Sequence, residues 1–206
     1  MRTRIKICGI TSPEIARHAV DAGADAIGLM FYPNSSRYLT IDQAVEINRK
    51  ALPFVAQVGV FVNPEKQVMD SILSAVHLDY LQFHGEESPD YCASFGKPYI
   101  KAIRVSESTD LLAVEKQYQD AAGLLLDSHI SDRYGGTGQS FEWCQAQYGG
   151  QKPIILAGGL TADNVQAAIA TAGPYGVDVS SGVETEAMKD PVKIIKFCQN
   201  VNRCNQ

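Results

Sequence analysis

The chain has 206 residues, 45% of them hydrophobic, with a formal net charge of -5. That is enough chain for one domain with a substantial buried core, and the acidic balance argues against a general nucleic-acid or anionic-membrane surface. No apolar run approaches the roughly 20 residues of a membrane span, no signal-like segment precedes the first strand, and five scattered cysteines without a C-x-x-C pair suggest reduced thiols in a cytoplasmic protein.

Short apolar runs alternate with helical patterns along the whole chain. Strands are predicted at Ile5–Cys8, Ala26–Phe31, Phe54–Val62, Tyr80–His84, Tyr99–Arg104, Gly123–Asp127, Pro153–Ala157 and Gly176–Ser180. Helices are predicted at Glu14–Ala22, Ile41–Lys50, Glu65–Val76, Pro89–Phe95, Asp110–Tyr118, Phe141–Tyr148, Ala162–Thr171 and Pro191–Cys198. Thr11 with Glu14 reads as a capping box with Pro13 in the first turn, and Gly23 and Gly96 as residues just past helix ends. Val68, Ile72 and Val76 read as the apolar stripe of the third helix.

Strict β-α alternation implies parallel strands, either closed as a (β/α)₈ TIM barrel over residues 1–206 or wound as an open sheet. An open nucleotide-binding sheet would carry its phosphate glycines after the first strand. Here they follow the sixth, seventh and eighth: Gly135-Gly136-Thr137-Gly138, Gly158-Gly159 and Ser180-Ser181-Gly182. A barrel gathers those ends around one pocket, and small residues in the last two βα loops suit a phosphate.

Side chains alternate along a strand, so Lys6 and Cys8 share a face, as do Gln82 and His84, and Asp178 and Ser180. Strands buried on both faces should read as continuous apolar runs, which makes this polar phase a pointer to the barrel mouth. Cys8 ends its strand at Gly9, and Lys6 on the same face would favour its thiolate. Cys92, Cys144 and Cys198 read as core thiols and Cys204 as part of a frayed tail. Asp127 ends a buried strand beside a glycine-rich loop and reads either as a general acid kept partly protonated by burial or as a cap or turn residue. His84 reads equally as a pocket group or a loop tie. Arg37, alone in a small polar loop, would suit a carboxylate if it faces the pocket. Metalloprotease, cation-loop, P-loop and serine-hydrolase motifs are missing from the sequence.

The segments Lys6-Ile7-Cys8-Gly9-Ile10, Val58-Gly59-Val60-Phe61-Val62-Asn63, Leu81-Gln82-Phe83-His84-Gly85, Leu126-Asp127-Ser128, Leu156-Ala157-Gly158-Gly159-Leu160 and Gly176-Val177-Asp178-Val179-Ser180-Ser181-Gly182-Val183-Glu184 occur in that order. Together they resemble the phosphoribosylanthranilate isomerase family of tryptophan biosynthesis across essentially the whole chain. The resemblance implies a (β/α)₈ barrel performing a cofactor-free, metal-free Amadori rearrangement of N-(5-phosphoribosyl)anthranilate. It implies Cys8 as general base, Asp127 as general acid and Arg37 as holder of the anthranilate carboxylate. It further implies Gly158, Gly159, Ser180, Ser181 and Gly182 as the phosphate loops, with Gln82, His84 and Asp178 as substrate-binding polar positions.

The expected partner is a small phosphoribosyl substrate, with no nucleic acid or membrane, and the chain acting as monomer or homodimer. The rivals are the sister histidine-pathway isomerase, whose family uses an Asp where this chain has Cys8, and a non-catalytic phosphosugar-binding barrel. The chain departs from the family pattern at Ala187-Met188, before Lys189-Asp190, where the family commonly has a Gly. The loop from Ser128 to Tyr134 does not align.

Overall fold

The computed structural model describes residues 2–50, 53–106, 108–127 and 143–205. Eight parallel strands close into a barrel in sequence order: β1 (Arg4–Cys8), β2 (Ala26–Met30), β3 (Ala56–Phe61), β4 (Tyr80–Phe83), β5 (Tyr99–Arg104), β6 (Gly123–Asp127), β7 (Ile154–Ala157) and β8 (Gly176–Val179). β1 pairs with β8 to complete the ring, with Lys6 in register with Asp178. The barrel reading is therefore correct and the open sheet is excluded.

The helices α1 (Pro13–Asp21), α2 (Ile41–Arg49), α3 (Lys66–Ala75), α4 (Pro89–Ala93), α5 (Leu111–Gln117), α6 (Val165–Ala172) and α7 (Pro191–Arg203) lie between and after the strands. Most of the apolar core is the shell between strands and helices, where outward-facing Ile5, Ile7, Leu29 and Phe83 meet Ala19, Ile47, Met69 and Phe197. Inside the barrel a smaller cluster of Ile100, Ala102, Leu125 and Ala157 separates the two ends. A cavity of about 310 Å³ opens at the N-terminal end, lined among others by Arg4, Ala56, Tyr80 and Gly176; the chemistry described below lies at the other end.

Local expectations needed four corrections. The N-cap of α1 is Ser12, whose hydroxyl accepts from the Ile15 amide at 3.3 Å, and Pro13 follows it; Thr11 stands one residue too early. On α3 the buried residues are Met69 and Ile72, with Val76 buried just past its end, while Val68, turned about 100° around the axis from Met69, is 45% exposed. Phe54 lies outside β3, with a left-handed φ of 69° that a strand cannot use. Where an α-helix was expected at Phe141–Tyr148, the described part is a single 3₁₀ turn, Trp143–Ala146.

Beyond β8 a 3₁₀ turn (Ser181–Val183) leads into a two-stranded hairpin, β9 (Glu184–Thr185) and β10 (Met188–Lys189). Glu186 and Ala187 form its tip with φ of 52° and 63°, the left-handed pair that a tight hairpin turn demands. Ala187 thus occupies a conformation for which Gly is the natural residue, close to where the family pattern has one. Gly135 to Gly138 and the loop from Ser128 to Tyr134 lie outside the described residues.

Candidate active site

The polar phases predicted along the strands converge at the C-terminal mouth of the barrel. Cys8 ends β1, Asp127 ends β6, Gln82 lies on β4 with His84 just beyond it, and Asp178 lies on β8 with Ser180 just beyond it. The register of closure sets Lys6 beside Asp178, and their side chains, 6% and 8% exposed, form an ion pair at 2.9 Å.

Cys8 is in register with Gly28 on β2. A Cβ at residue 28 would stand 2.8 Å from the Cys8 sulfur and 3.2 Å from the Lys6 ammonium nitrogen, so this glycine makes the space both groups occupy. The positive charge of the Lys6 ammonium favours the thiolate. Burial pushes the Cys8 thiol up all the same, and the lowering by Lys6, partly offset by Asp178, does not overcome it. The expectation that Lys6 favours the thiolate therefore holds in direction, with burial the larger influence. Desolvation opposes the Lys6 charge too, yet Asp178 and Cys8 together hold its ammonium above the ordinary value.

Opposite Cys8, a relay runs from β4 to β6. Gln82 Nε2 lies 3.1 Å from His84 Nδ1, and His84 Nε2 lies 3.0 Å from Asp127 Oδ2. The Asp127 side chain is 20% exposed. The backbone on which His84 sits is pinned from below. Lys101 and Glu87, with side chains 3% and 2% exposed, pair at 2.9 Å. Lys101 also donates to the Gly85 carbonyl at 2.5 Å, and Glu87 accepts from the Gly85 and Asn63 amides at 2.9 and 2.7 Å.

Arg37 reaches the mouth from the loop after β2. Its stem passes over Gly9, where a Cβ would stand 2.4 Å from Arg37 Cδ, and the φ of 76° at Gly9 independently favours glycine. Its Nε and Nη2 each donate to a Glu184 oxygen at 2.6 Å. The pair leaves the Nη1 edge of the guanidinium fork for a second carboxylate. Lys189 also contacts Glu184 and donates to the Ser180 carbonyl at 3.1 Å and hydroxyl at 3.2 Å. Burial would raise the Glu184 carboxyl, but Arg37 and Lys189 together hold it below the usual range. Burial lowers Lys189 despite that partner.

The last two βα loops form one surface. Gly158 and Gly159 have consecutive left-handed φ of 78° and 62°, and Asn164 braces them by donating to the Gly159 carbonyl at 2.9 Å. A Cβ at Gly182 would lie 1.8 Å from the Leu160 carbonyl oxygen, so the loop after β8 lies directly against the loop after β7. Ser180, Ser181 and Gly182 enter the 3₁₀ turn that continues this surface. Such a cradle of small residues and backbone is suited to a phosphate.

Every site residue expected from the sequence except those in the undescribed loop thus lies at one end of the barrel. The sequence reading did not assign Glu184, whose partner Arg37 lies 147 positions away, nor Lys189, nor Arg104. Arg104 continues the inward phase of Ile100 and Ala102 and is in register with Asp127, a signal that strand alternation could have supplied. Cys92 and Cys198 are buried and Cys204 is exposed, as expected; the Cys144 side chain lies outside the described residues.

Among known proteins, the family model of N-(5'phosphoribosyl)anthranilate (PRA) isomerase matches residues 5–200. An N-(5'-phosphoribosyl)anthranilate isomerase of Pseudomonas fluorescens is 52% identical over 204 residues, covering 98% of this chain and 97% of that protein. One from Nitrosococcus oceani is 47% identical over the full length of both. The crystal structure of phosphoribosyl anthranilate isomerase from Thermotoga maritima superposes with a TM-score of 0.87 at 38% identity, covering 98% of this chain and 99% of that one. A complex of phosphoribosyl anthranilate isomerase with reduced 1-(o-carboxyphenylamino)-1-deoxyribulose 5-phosphate gives 0.84 at 36%, with the same coverage. A 3-hexulose-6-phosphate synthase at 18% identity and a TM-score of 0.73 shares the fold.

Proposed function

The chain belongs to the N-(5'-phosphoribosyl)anthranilate isomerase family, and we propose how its residues divide the work of that reaction. The activity is an Amadori rearrangement of N-(5-phosphoribosyl)anthranilate to 1-(2-carboxyphenylamino)-1-deoxyribulose 5-phosphate, in tryptophan biosynthesis. We take the protein to work in the cytoplasm on this free small molecule, as monomer or homodimer.

Asp127 acts as general acid and Cys8 as general base. Asp127 protonates the ribose ring oxygen as the bond from that oxygen to C1 breaks, and the anilino nitrogen supplies the electrons that make C1 an iminium. The iminium acidifies the C2 proton. Cys8, as thiolate, removes that proton, and the resulting enolamine tautomerises to the ketone. A buried thiol needs help to ionise: the Lys6 ammonium supplies part, and a positive iminium next to the sulfur supplies more once the ring has opened.

The free Nη1 edge of Arg37 takes the anthranilate carboxylate, while Gly158, Gly159, Ser180, Ser181 and Gly182 take the phosphate. Lys6 and Asp178 keep a charged pair beneath Cys8. The observation that carries the reading is the arrangement of two proton-transfer groups, Cys8 and Asp127, on one barrel mouth between a carboxylate-matched arginine and an anion-matched pair of loops.

The test follows loss of substrate fluorescence with wild type, Cys8→Ser and Asp127→Asn, generating the labile substrate in situ from anthranilate. Wild-type turnover with losses of roughly 10²–10⁴-fold in each variant supports both roles. Near-wild-type turnover by either variant overturns the role of that residue.

A further inference from the structure

Gln82 is 1% exposed, and its Oε1 has no hydrogen-bond partner among the described residues, although its Nε2 meets His84 Nδ1. Leaving a buried amide acceptor unpaired is unfavourable, so the orientation of this carboxamide carries information. With its NH₂ turned to the ring, Nδ1 must be the bare nitrogen and Nε2 carries the proton. Nε2–H then donates to Asp127 Oδ2 across the 3.0 Å contact, which suits a carboxylate.

A half-turn of the carboxamide brings Oε1 to Nδ1 and gives the orphan its partner. Nδ1 must then carry the proton. If Nε2 is bare it can bond Asp127 only when Asp127 holds a proton; if Nε2 is protonated the ring is an imidazolium facing a carboxylate. Both descriptions contain the same number of protons, one more than in the orientation observed.

We propose that Gln82 is a positioning residue whose carboxamide, by turning between these two orientations, sets whether the His84–Asp127 pair holds the proton delivered to substrate. This rests on the reading of Asp127 as the general acid. In the loaded state Gln82 Oε1 accepts from Nδ1–H, and the extra proton lies between Nε2 and Oδ2. Delivery breaks the Asp127 O–H bond and protonates the ring oxygen as that oxygen leaves C1 with the bonding pair. A bare Nε2 then faces a carboxylate, and their repulsion favours reloading. Otherwise the imidazole takes a proton from water at Nε2, releases the one on Nδ1, and Gln82 turns its NH₂ inward. The 24% exposure of the His84 side chain provides the contact with water.

This accounts for how a carboxyl that is not fully buried can serve as an acid near neutrality. Among the described residues, the charged and titratable groups on the elements around the pair include Arg104 on β5, in register with Asp127, Lys6, Cys8 and Asp178 on β1 and β8, and Lys101 and Glu87, which hold the Gly85 backbone next to His84. Among the described residues only Gln82 and Asp127 hydrogen-bond the His84 ring.

The experiment is ¹⁵N NMR of histidine-labelled protein from pH 5 to 9, with the His84 signals assigned by a His84→Asn variant, alongside pH–rate profiles. In wild type, His84 Nδ1 is expected protonated at low pH and bare at high pH. Gln82→Met removes the acceptor for Nδ1–H and should move that step down by about one pH unit or more, whereas Gln82→Glu supplies an anionic acceptor and should move it up. The corresponding limb of the kcat profile should follow in both variants, with KM little changed. Should Gln82→Met fail to fold, the upward shift in Gln82→Glu carries the test.

A His84 step and a kcat profile unmoved by either substitution, or moved the same way by both, would overturn the proposal. Asp127→Asn separates the two levels. If it retains turnover, the acid assignment itself fails; if it is inactive while the Gln82 variants leave His84 unmoved, only the carboxamide switch fails.

Discussion

Arg37 and Glu184 meet edge to edge, Nε to Oε1 and Nη2 to Oε2, both at 2.6 Å. Glu184 thereby fixes the plane of the guanidinium and the direction of its unused Nη1 edge. Glu184→Gln can no longer accept both bonds, and a charge-assisted hydrogen bond contributes about 1.5–3 kcal/mol. We expect KM to rise roughly 10- to 100-fold with kcat changing less, since the lost interaction orients a binding group. Steady-state kinetics check this, and an unchanged KM would refute the orienting role.

Lys6 and Asp178 are best changed together. Removing Lys6 alone strands a buried carboxylate at a cost of about 3–5 kcal/mol, so loss of fold would mask its effect on Cys8. The neutral pair Lys6→Met with Asp178→Asn removes both the ammonium that lowers the Cys8 thiol and the carboxylate that raises it. Lys6 is the larger influence. The alkaline rise in Cys8 alkylation, read by mass spectrometry, should therefore move to higher pH. A rise at the wild-type pH would sink the claim that Lys6 assists ionisation.

Buried thiols make stability fall in alkali. Burial pushes Cys92 and Cys198 up to about 12, from 9.0 for an exposed thiol. Between those values the unfolded chain has lost protons that the folded chain keeps, so the stabilisation is intact below pH 9 and is lost as pH rises towards 12. Each thiol contributes a slope of up to about 1.4 kcal/mol per pH unit in that window. Urea unfolding from pH 8 to 11 should show this slope reduced in Cys92→Ala and Cys198→Ala, even though both are less stable at pH 8. Parallel pH curves for variants and wild type would contradict it.

Ala187 offers a gain. Its φ of 63° costs an alanine about 1–2 kcal/mol, while glycine loses roughly 0.4–1 kcal/mol through its freer unfolded state. Ala187→Gly should stabilise by about 0.5–1 kcal/mol without altering turnover. Chemical denaturation decides it, and a destabilised variant would show that the hairpin tip is not strained.

The eight strands were legible because a strand covered by helices and packed inside a barrel can tolerate few polar residues, so polar ones stand out by phase. Lys6 with Cys8 and Gln82 with His84 were found in this way. Adjacent candidates were harder to separate: Thr11 and Ser12 are both competent caps, and two stripes of α3 share Ile72 and Val76. What local pattern cannot carry is the partner across the ring. Lys6 meets Asp178 only through the closing register, and Arg37 meets Glu184 over 147 positions. The help Lys6 gives Cys8 was legible because a neighbouring ammonium is visible in sequence, whereas the larger desolvation that opposes it is not.

The contact of Gly182 with the Leu160 carbonyl gives the order of synthesis a thermodynamic meaning. A nascent chain ending before Ser180 holds only one wall of the anion cradle, and one ending before β8 also lacks the strand that pairs with β1. Closing the ring and completing the cradle are thus one event, separated from the first strand by nearly the whole chain. A phosphorylated ligand can stabilise only what it binds, so it does not select among partly built barrels; it rewards the finished one.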